Sequence, residues 1–258
     1  MSRLQQPRRV WAIIRKDMLE IFRARGTYFY LPGMFFMSAF FFVSYYSLTN
    51  QLDQQHASAA LALATTRAFL NSMAYLLPVL YSLFACNLTS AGLVFEKQKR
   101  SLESLMVTPV SMKRIWMGKS LGASLSGTAI GLAMSVVAYC IIAFAEVYPK
   151  IHVAIAPGGL AFLSGLVLAP ITVFLVSLVV SYIQLIATNP RMGNVVYGLL
   201  LLVVWGILFL ASYYLPLVGV SIDYYPLIFV GLILLLSGAA YLCSRALTKE
   251  KVVLSSKG

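Results

Sequence analysis

Thirty consecutive residues, Gly158 to Ala187, carry no charged side chain. In hydrocarbon the backbone N–H and C=O groups have no water to pair with. An uncharged run of about 18 or more apolar residues is therefore stable there as a helix that closes its own hydrogen bonds. Comparable runs recur along the chain. The composition agrees, with 60% hydrophobic and 11% charged residues and a mean hydropathy of +0.84, whereas soluble domains carry roughly 25% charge. No water-soluble core of 258 residues hides that much apolar side chain. The expectation is an all-α integral membrane protein.

Reading along the chain, residues 1–27 predict an amphipathic interfacial helix. Trp11, Ile14, Met18, Ile21 and Phe22 fall on one face, and Arg9, Lys16, Glu20 and Arg23 on the other. Residues 28–245 predict a six-span bundle with spans near Tyr28–Leu48, Phe69–Leu93, Ile115–Ala145, Gly158–Ala187, Asn194–Leu215 and Pro226–Arg245. Asp53, His56 and Arg67 are assigned to the loop after the first span, and Glu146, Lys150 and His152 to the loop after the third. Pro78 and Pro170 are expected to kink or break their helices, because proline lacks the N–H and its ring strikes the carbonyl four residues back. Residues 246–258 form a basic tail. No uninterrupted hydrophobic segment follows the arginines before residue 27, so a secretory signal peptide is not expected.

Charge sets the expected orientation. With the N-terminus inside, the inner segments hold seven basic residues up to Arg25, six from Lys97 to Lys119, Arg191, and four from Arg245 onward. Only Arg67 and Lys150, of 20, are left outside. Such asymmetry is the positive-inside signature and puts both termini in the cytoplasm of a multi-pass protein. The net charge of +12 flanks apolar runs and forms no basic surface for nucleic acid. The tyrosine pairs Tyr45–Tyr46, Tyr213–Tyr214 and Tyr224–Tyr225 fall at outer ends, where they can anchor in the interface or stack on a sugar. Cys86, Cys140 and Cys243 lie in apolar runs, where a thiol behaves as a small hydrophobe; neither a disulfide framework nor a metal site is expected.

One internal segment, 95–114, is strongly charged. It reads Phe-Glu-Lys-Gln-Lys-Arg-Ser-Leu-Glu-Ser-Leu-Met-Val-Thr-Pro-Val-Ser from Phe95 to Ser111 and is followed by Ile115-Trp-Met-Gly-Lys119. Ser101 is a candidate N-cap, Leu102, Leu105 and Met106 make one apolar face, and Pro109 stops the helix. Links between packed helices need only about 2–8 residues, so a patterned segment of this length has a use beyond connection, or else sets topology alone. Periodicity leaves both readings open.

The run resembles the signature of the type-2 permeases of ATP-binding-cassette transporters. In that pattern a cytoplasmic loop carries Glu-x-x-x-Gly-Thr-Leu-Glu-x-Leu-x-x-(Ser/Thr)-Pro-hydrophobic-Ser and then Gly-Lys. Glu96, Leu102, Glu103, Leu105, Thr108, Pro109, Val110, Ser111, Ile115, Gly118 and Lys119 match in order, while Arg100 and Ser101 stand where the pattern has Gly and Thr. The specific match covers Glu96–Lys119. The resemblance implies a coupling helix that docks on a cytoplasmic ATPase subunit, through Glu96, Lys97, Arg100, Leu102, Glu103, Leu105, Met106 and Pro109. It also implies two copies of that ATPase, a second permease copy, a homodimer or a heterodimer, and alternating access for export across a prokaryotic cytoplasmic membrane. ATP and Mg would then be held by the partner and no cofactor by this chain. Many relatives carry a re-entrant outer hairpin longer than the Tyr214–Tyr225 segment here.

Gly118-Lys119-Ser120 looks like the end of a phosphate-binding loop, but Lys113 stands where the motif needs Gly, so ATP binding by this chain is not expected. Gly118, Gly122 and Ser126, and also Gly127, Gly131 and Ser135, repeat every four residues. Rows of small residues let helices approach closely in lipid, within the chain or across a dimer. Two other functional classes fit the sequence less well. An ion-coupled secondary transporter needs ionisable groups at membrane depth, and the reading above places none there. An intramembrane enzyme needs a nucleophile and base or metal ligands, and His56 and His152 stand alone. A membrane scaffold without transport can share the same fold.

Overall fold

The computed structural model describes residues 59–98, 111–152, 156–187, 190–217 and 225–248, together with Arg15 and scattered residues between 38 and 50. Within the helices, the side chains at 59, 87–98, 146, 150–151, 190–194, 209, 211–217 and 225 are outside the description. The described chain is all-helical, with α1 Ala59–Gln98, α2 Met112–Ile142, α3 Tyr148–Ile151, α4 Gly159–Leu163, α5 Ala169–Ile186, α6 Pro190–Leu217 and α7 Tyr225–Ala246. Among the described residues four helical segments are long and apolar enough to cross a membrane: Ala60–Cys86, Met112–Ala145, Gly159–Ile186 and Pro226–Ala246. The apolar stretch Val195–Leu208 lies within α6. The chain is a multi-pass membrane protein.

Residues 1–27 apart from Arg15, most of the expected first span and the tail beyond Thr248 lie outside the described residues. Ser38, Ala39, Phe42–Ser44, Tyr46 and Ser47 of the expected first span are helical, as is Asn50 beyond it, and the Ser38 and Tyr81 hydroxyls are hydrogen-bonded, tying Ser38 to α1.

Three expectations are corrected. Arg67 is helical and exposed, two turns into α1; the preceding stretch Ala59–Thr66 holds alanine and leucine with neither Gly nor Pro, so the helix starts before the apolar run does. Glu146, Lys150 and Ile151 are helical too, because α2 continues through a π-helical turn, Ala143–Val147, into α3. His152 ends it in the left-handed region at φ 56°, and its N–H donates to the Tyr148 carbonyl. Nor does Pro170 break its span, since α4 passes through a second π turn, Ser164–Leu168, directly into α5.

Both π turns have one cause. Pro149 and Pro170 each lie two residues beyond a π turn, so the carbonyl that each ring would strike, on Ala145 and Leu166, falls inside the widened turn. Pro78, by contrast, sits inside α1 with helix on both sides.

Backbone proximity organises the bundle. A Cβ on Gly127 would lie 2.8 Å from the Cys86 nitrogen, and one on Gly131 would overlap Ser82 and lie 2.5 Å from its Cα. Moving four residues forward on α2 thus moves four back on α1, so the two helices are antiparallel. The Trp116 indole N–H donates to the Leu178 carbonyl at 3.0 Å and the Ser177 hydroxyl to the Ser120 carbonyl at 3.1 Å, which sets α5 beside the first half of α2. At one end of the bundle Met112, Trp116, Leu185, Ala240 and Leu247 pack into a common cluster. At the other end Phe229 of α7 meets Tyr75 edge-on, ring centroids 6.0 Å apart. The helices therefore alternate in direction, and the end of α1, the start of α2, the end of α5 and the end of α7 gather at one end.

Candidate functional site

The connection between α1 and α2 is the segment singled out by its charge. Glu96 and Lys97 fall in the last turn of α1. Arg100, Leu102, Glu103, Leu105, Met106 and Pro109 lie outside the described residues. The chain is described again at Ser111, which is extended, φ −68° and ψ 143°, with its carbonyl accepting from Arg114 and Ile115 to start α2. Its side chain makes no cap bond.

The first half of α2 forms the structural base of this end. Ile115, Trp116, Gly118, Lys119, Ser120, Gly122 and Ser126 are all buried. Gly118-Lys119-Ser120 is continuous α-helix, without the strand-to-helix loop that phosphate binding requires. Lys119, counted among the inner flanking charges, is only 6% exposed and lies two turns into α2, within the apolar segment Met112–Ala145. The reason is that α2 begins at Met112, ahead of the apolar run, and α5 and α7 close over its first turns.

Buried serines accompany the lysine. Ser177, Ser181 and Gln184 recur at i, i+4 and i+7 on one face of α5, all nearly or fully buried. The Ser120 and Ser181 hydroxyls find no hydrogen-bond partner among the described residues. Polar groups buried in this way normally carry partners, and in spanning helices they concentrate where a protein works. Sequence reading passed over this polar seam, although the serine spacing on α5 was visible.

Gly127 and Gly131 lie in the α1–α2 contact of a single chain, against Cys86 and Ser82. Ser126 turns its hydroxyl back to the Gly122 carbonyl at 2.8 Å, so its polar atom is satisfied within α2. Gly165 approaches Ala74 so closely that a Cβ there would overlap the Ala74 carbonyl oxygen. That carbonyl is the one released by Pro78, four residues on, so α1's interrupted hydrogen bond and the π turn after α4 meet at one point. Pro78 and Gly165 also border an apolar cavity of about 320 Å³ between α1, α2 and α4.

Comparison of the chain with family models, with curated proteins and with solved structures finds no match.

Proposed function

We propose that this chain is the membrane-spanning permease subunit of an ATP-driven exporter, working as a pair with a second permease copy and two copies of a separate cytoplasmic ATPase. The observation that carries the reading is the charged, helix-patterned run Glu96–Lys119 between two spans, with its ordered match to the coupling segment of type-2 permeases. The fold supports it in one respect. The 99–110 connection emerges between the end of α1 and a first half of α2 that is clamped by Trp116 and Ser120 to α5, so a push on the connection is delivered to packed helices. In this reading both termini are cytoplasmic, the membrane is the prokaryotic cytoplasmic membrane, and ATP and Mg stay on the partner.

The test is capture of the ATPase by tagged chain purified from native membranes in mild detergent, read by mass spectrometry and by ATP hydrolysis of the eluate. Leu102→Glu with Leu105→Glu removes apolar anchors of the kind whose loss costs an interface about 2 kcal/mol or more, roughly 30-fold in affinity. Capture that persists unchanged in that variant refutes the docking role. So does labelling of Glu103→Cys by a membrane-impermeant maleimide in intact cells, with the three native cysteines replaced. Lys119, buried two turns into α2, favours one second reading, a transporter coupled to ions through a charge inside the bundle. Capture of an ATPase decides between the two.

A further inference from the structure

We infer that the cavity between α1, α2 and α4 is a phospholipid site, holding one acyl chain with the lipid phosphate at Arg67. The inference rests on the membrane character of the chain alone and stands apart from the transport reading.

The cavity encloses about 320 Å³ and its walls are aliphatic and aromatic. Ala74 and Pro78 form the α1 side and Ser135 and Val136 the α2 side, while Phe162 and Leu166 close it from α4 and the π turn. Helix defects meet at its wall: the π turn brings Gly165 against the Ala74 carbonyl and the Pro78 ring. Water is a poor occupant, because a buried water needs 2–4 polar partners and the Ser135 hydroxyl already donates to the Leu132 carbonyl at 2.8 Å. An acyl chain seated there makes dispersion contacts along the whole lining.

The mouth faces the bilayer. Val136 is 60% exposed and Phe162 55%, and both border the cavity in segments long and apolar enough to span a membrane. Hydrocarbon is therefore the medium outside the opening. The cavity lies toward one end of the bundle, just inside the level at which the Gly158 N–H donates to the Asn71 side-chain oxygen at 2.7 Å.

Charge placement selects a phospholipid over other apolar occupants. Arg67, Asn71, Ala74 and Pro78 recur at i, i+4, i+7 and i+11, so they share one face of α1. Arg67 is exposed and stands about 10 Å along the helix axis from Ala74, on the outward side. A lipid whose chain enters beside Ala74 carries its phosphate outward on the same face, and a guanidinium matches phosphate geometry with two parallel donors.

The experiment uses the full chain in dodecyl maltoside, titrated with phosphatidylglycerol carrying a diazirine in its sn-2 palmitoyl chain, photolysed and mapped by peptide mass spectrometry. Labelling is expected to saturate at one probe per chain and to fall within 132–140 and 157–166. Val136→Trp and Leu166→Trp each plug the mouth from an exposed position and should cut saturable labelling about tenfold, the equivalent of 1.4 kcal/mol. Leu234→Trp, equally exposed on α7 but not among the residues that line the cavity, should leave it unchanged. Arg67→Gln should raise the half-saturating mole fraction about threefold for the phosphatidylglycerol probe, as expected for one solvent-screened ion pair, and leave a diacylglycerol probe with the same chain unaffected. Labelling that never saturates and spreads evenly over α2, α6 and α7, or that survives both plugging variants, overturns the site. An unaltered phosphatidylglycerol titration in Arg67→Gln overturns the headgroup assignment.

Discussion

Replacing Gly131 by alanine puts a methyl group where the structure has the backbone of α1. The new Cβ would overlap the Ser82 nitrogen and hydroxyl and lie 2.5 Å from its Cα. Ordinary carbon contacts begin near 3.5 Å, so α1 and α2 must separate by about 1 Å along a seam that also includes Gly127 against Cys86. Overpacking of this kind costs about 1–3 kcal/mol. Alanine's better helix propensity returns about 0.5–1 kcal/mol, which leaves a net loss of about 1 kcal/mol at the middle of a range from roughly 0 to 2.5 kcal/mol. For a chain of this size each kcal/mol moves Tm by roughly 2–4 °C. The assay is thermal denaturation in detergent followed by the monodisperse fraction on size exclusion. Gly238→Ala on α7 is the matched control, since its added Cβ meets nothing within 4 Å, and its Tm should hold or rise. Ser82→Gly should not rescue Gly131→Ala, because the obstacle is the Ser82 backbone more than its hydroxyl. A Gly131→Ala protein as stable as wild type, or one restored by Ser82→Gly, refutes the backbone-contact argument.

Three further outcomes follow from single contacts. Trp116→Phe removes the buried indole donor to the Leu178 carbonyl and should lower stability by about 1 kcal/mol, read as a Tm drop of a few degrees in the same assay. Asn71→Ala leaves the Gly158 N–H at the start of α4 without its acceptor. Faster amide hydrogen exchange is expected there, with a loss of about 1 kcal/mol, while Asn71→Asp, which keeps an oxygen in place, should retain the protection. His152→Gly relieves a left-handed backbone at the end of α3 and should stabilise by about 0.5–1 kcal/mol; a fall in Tm would show that the imidazole makes contacts that outweigh the strain.

The helical membrane class was legible from the apolar runs, because a bilayer leaves backbone groups no partner outside their own helix. Proline positions told where helices are disturbed but not how. Pro78 lies within unbroken helix, while Pro149 and Pro170 follow π turns, a difference that the prolines alone do not predict. The charged segment Glu96–Pro109 was likewise conspicuous in one dimension, as was the four-residue repeat of small residues on α2.

Which neighbour each face meets was decided only in three dimensions. Sequence could not choose between contact within the chain and contact across a dimer for Gly127 and Gly131; the structure sets them against Ser82 and Cys86 of the same chain. Nor could it find Lys119 buried, since flanking-charge rules count a lysine by its distance from an apolar run and are blind to the helices that close over it. The cavity above Gly165 is tertiary in the same sense. It exists because three helices carry a proline, a π turn and small residues at one level, and sequence separations from Met73 to Leu166 hide that coincidence. Periodicity along one helix fixes which residues share a face. The angle and height at which that face meets another come from packing, and packing alone brings distant residues together.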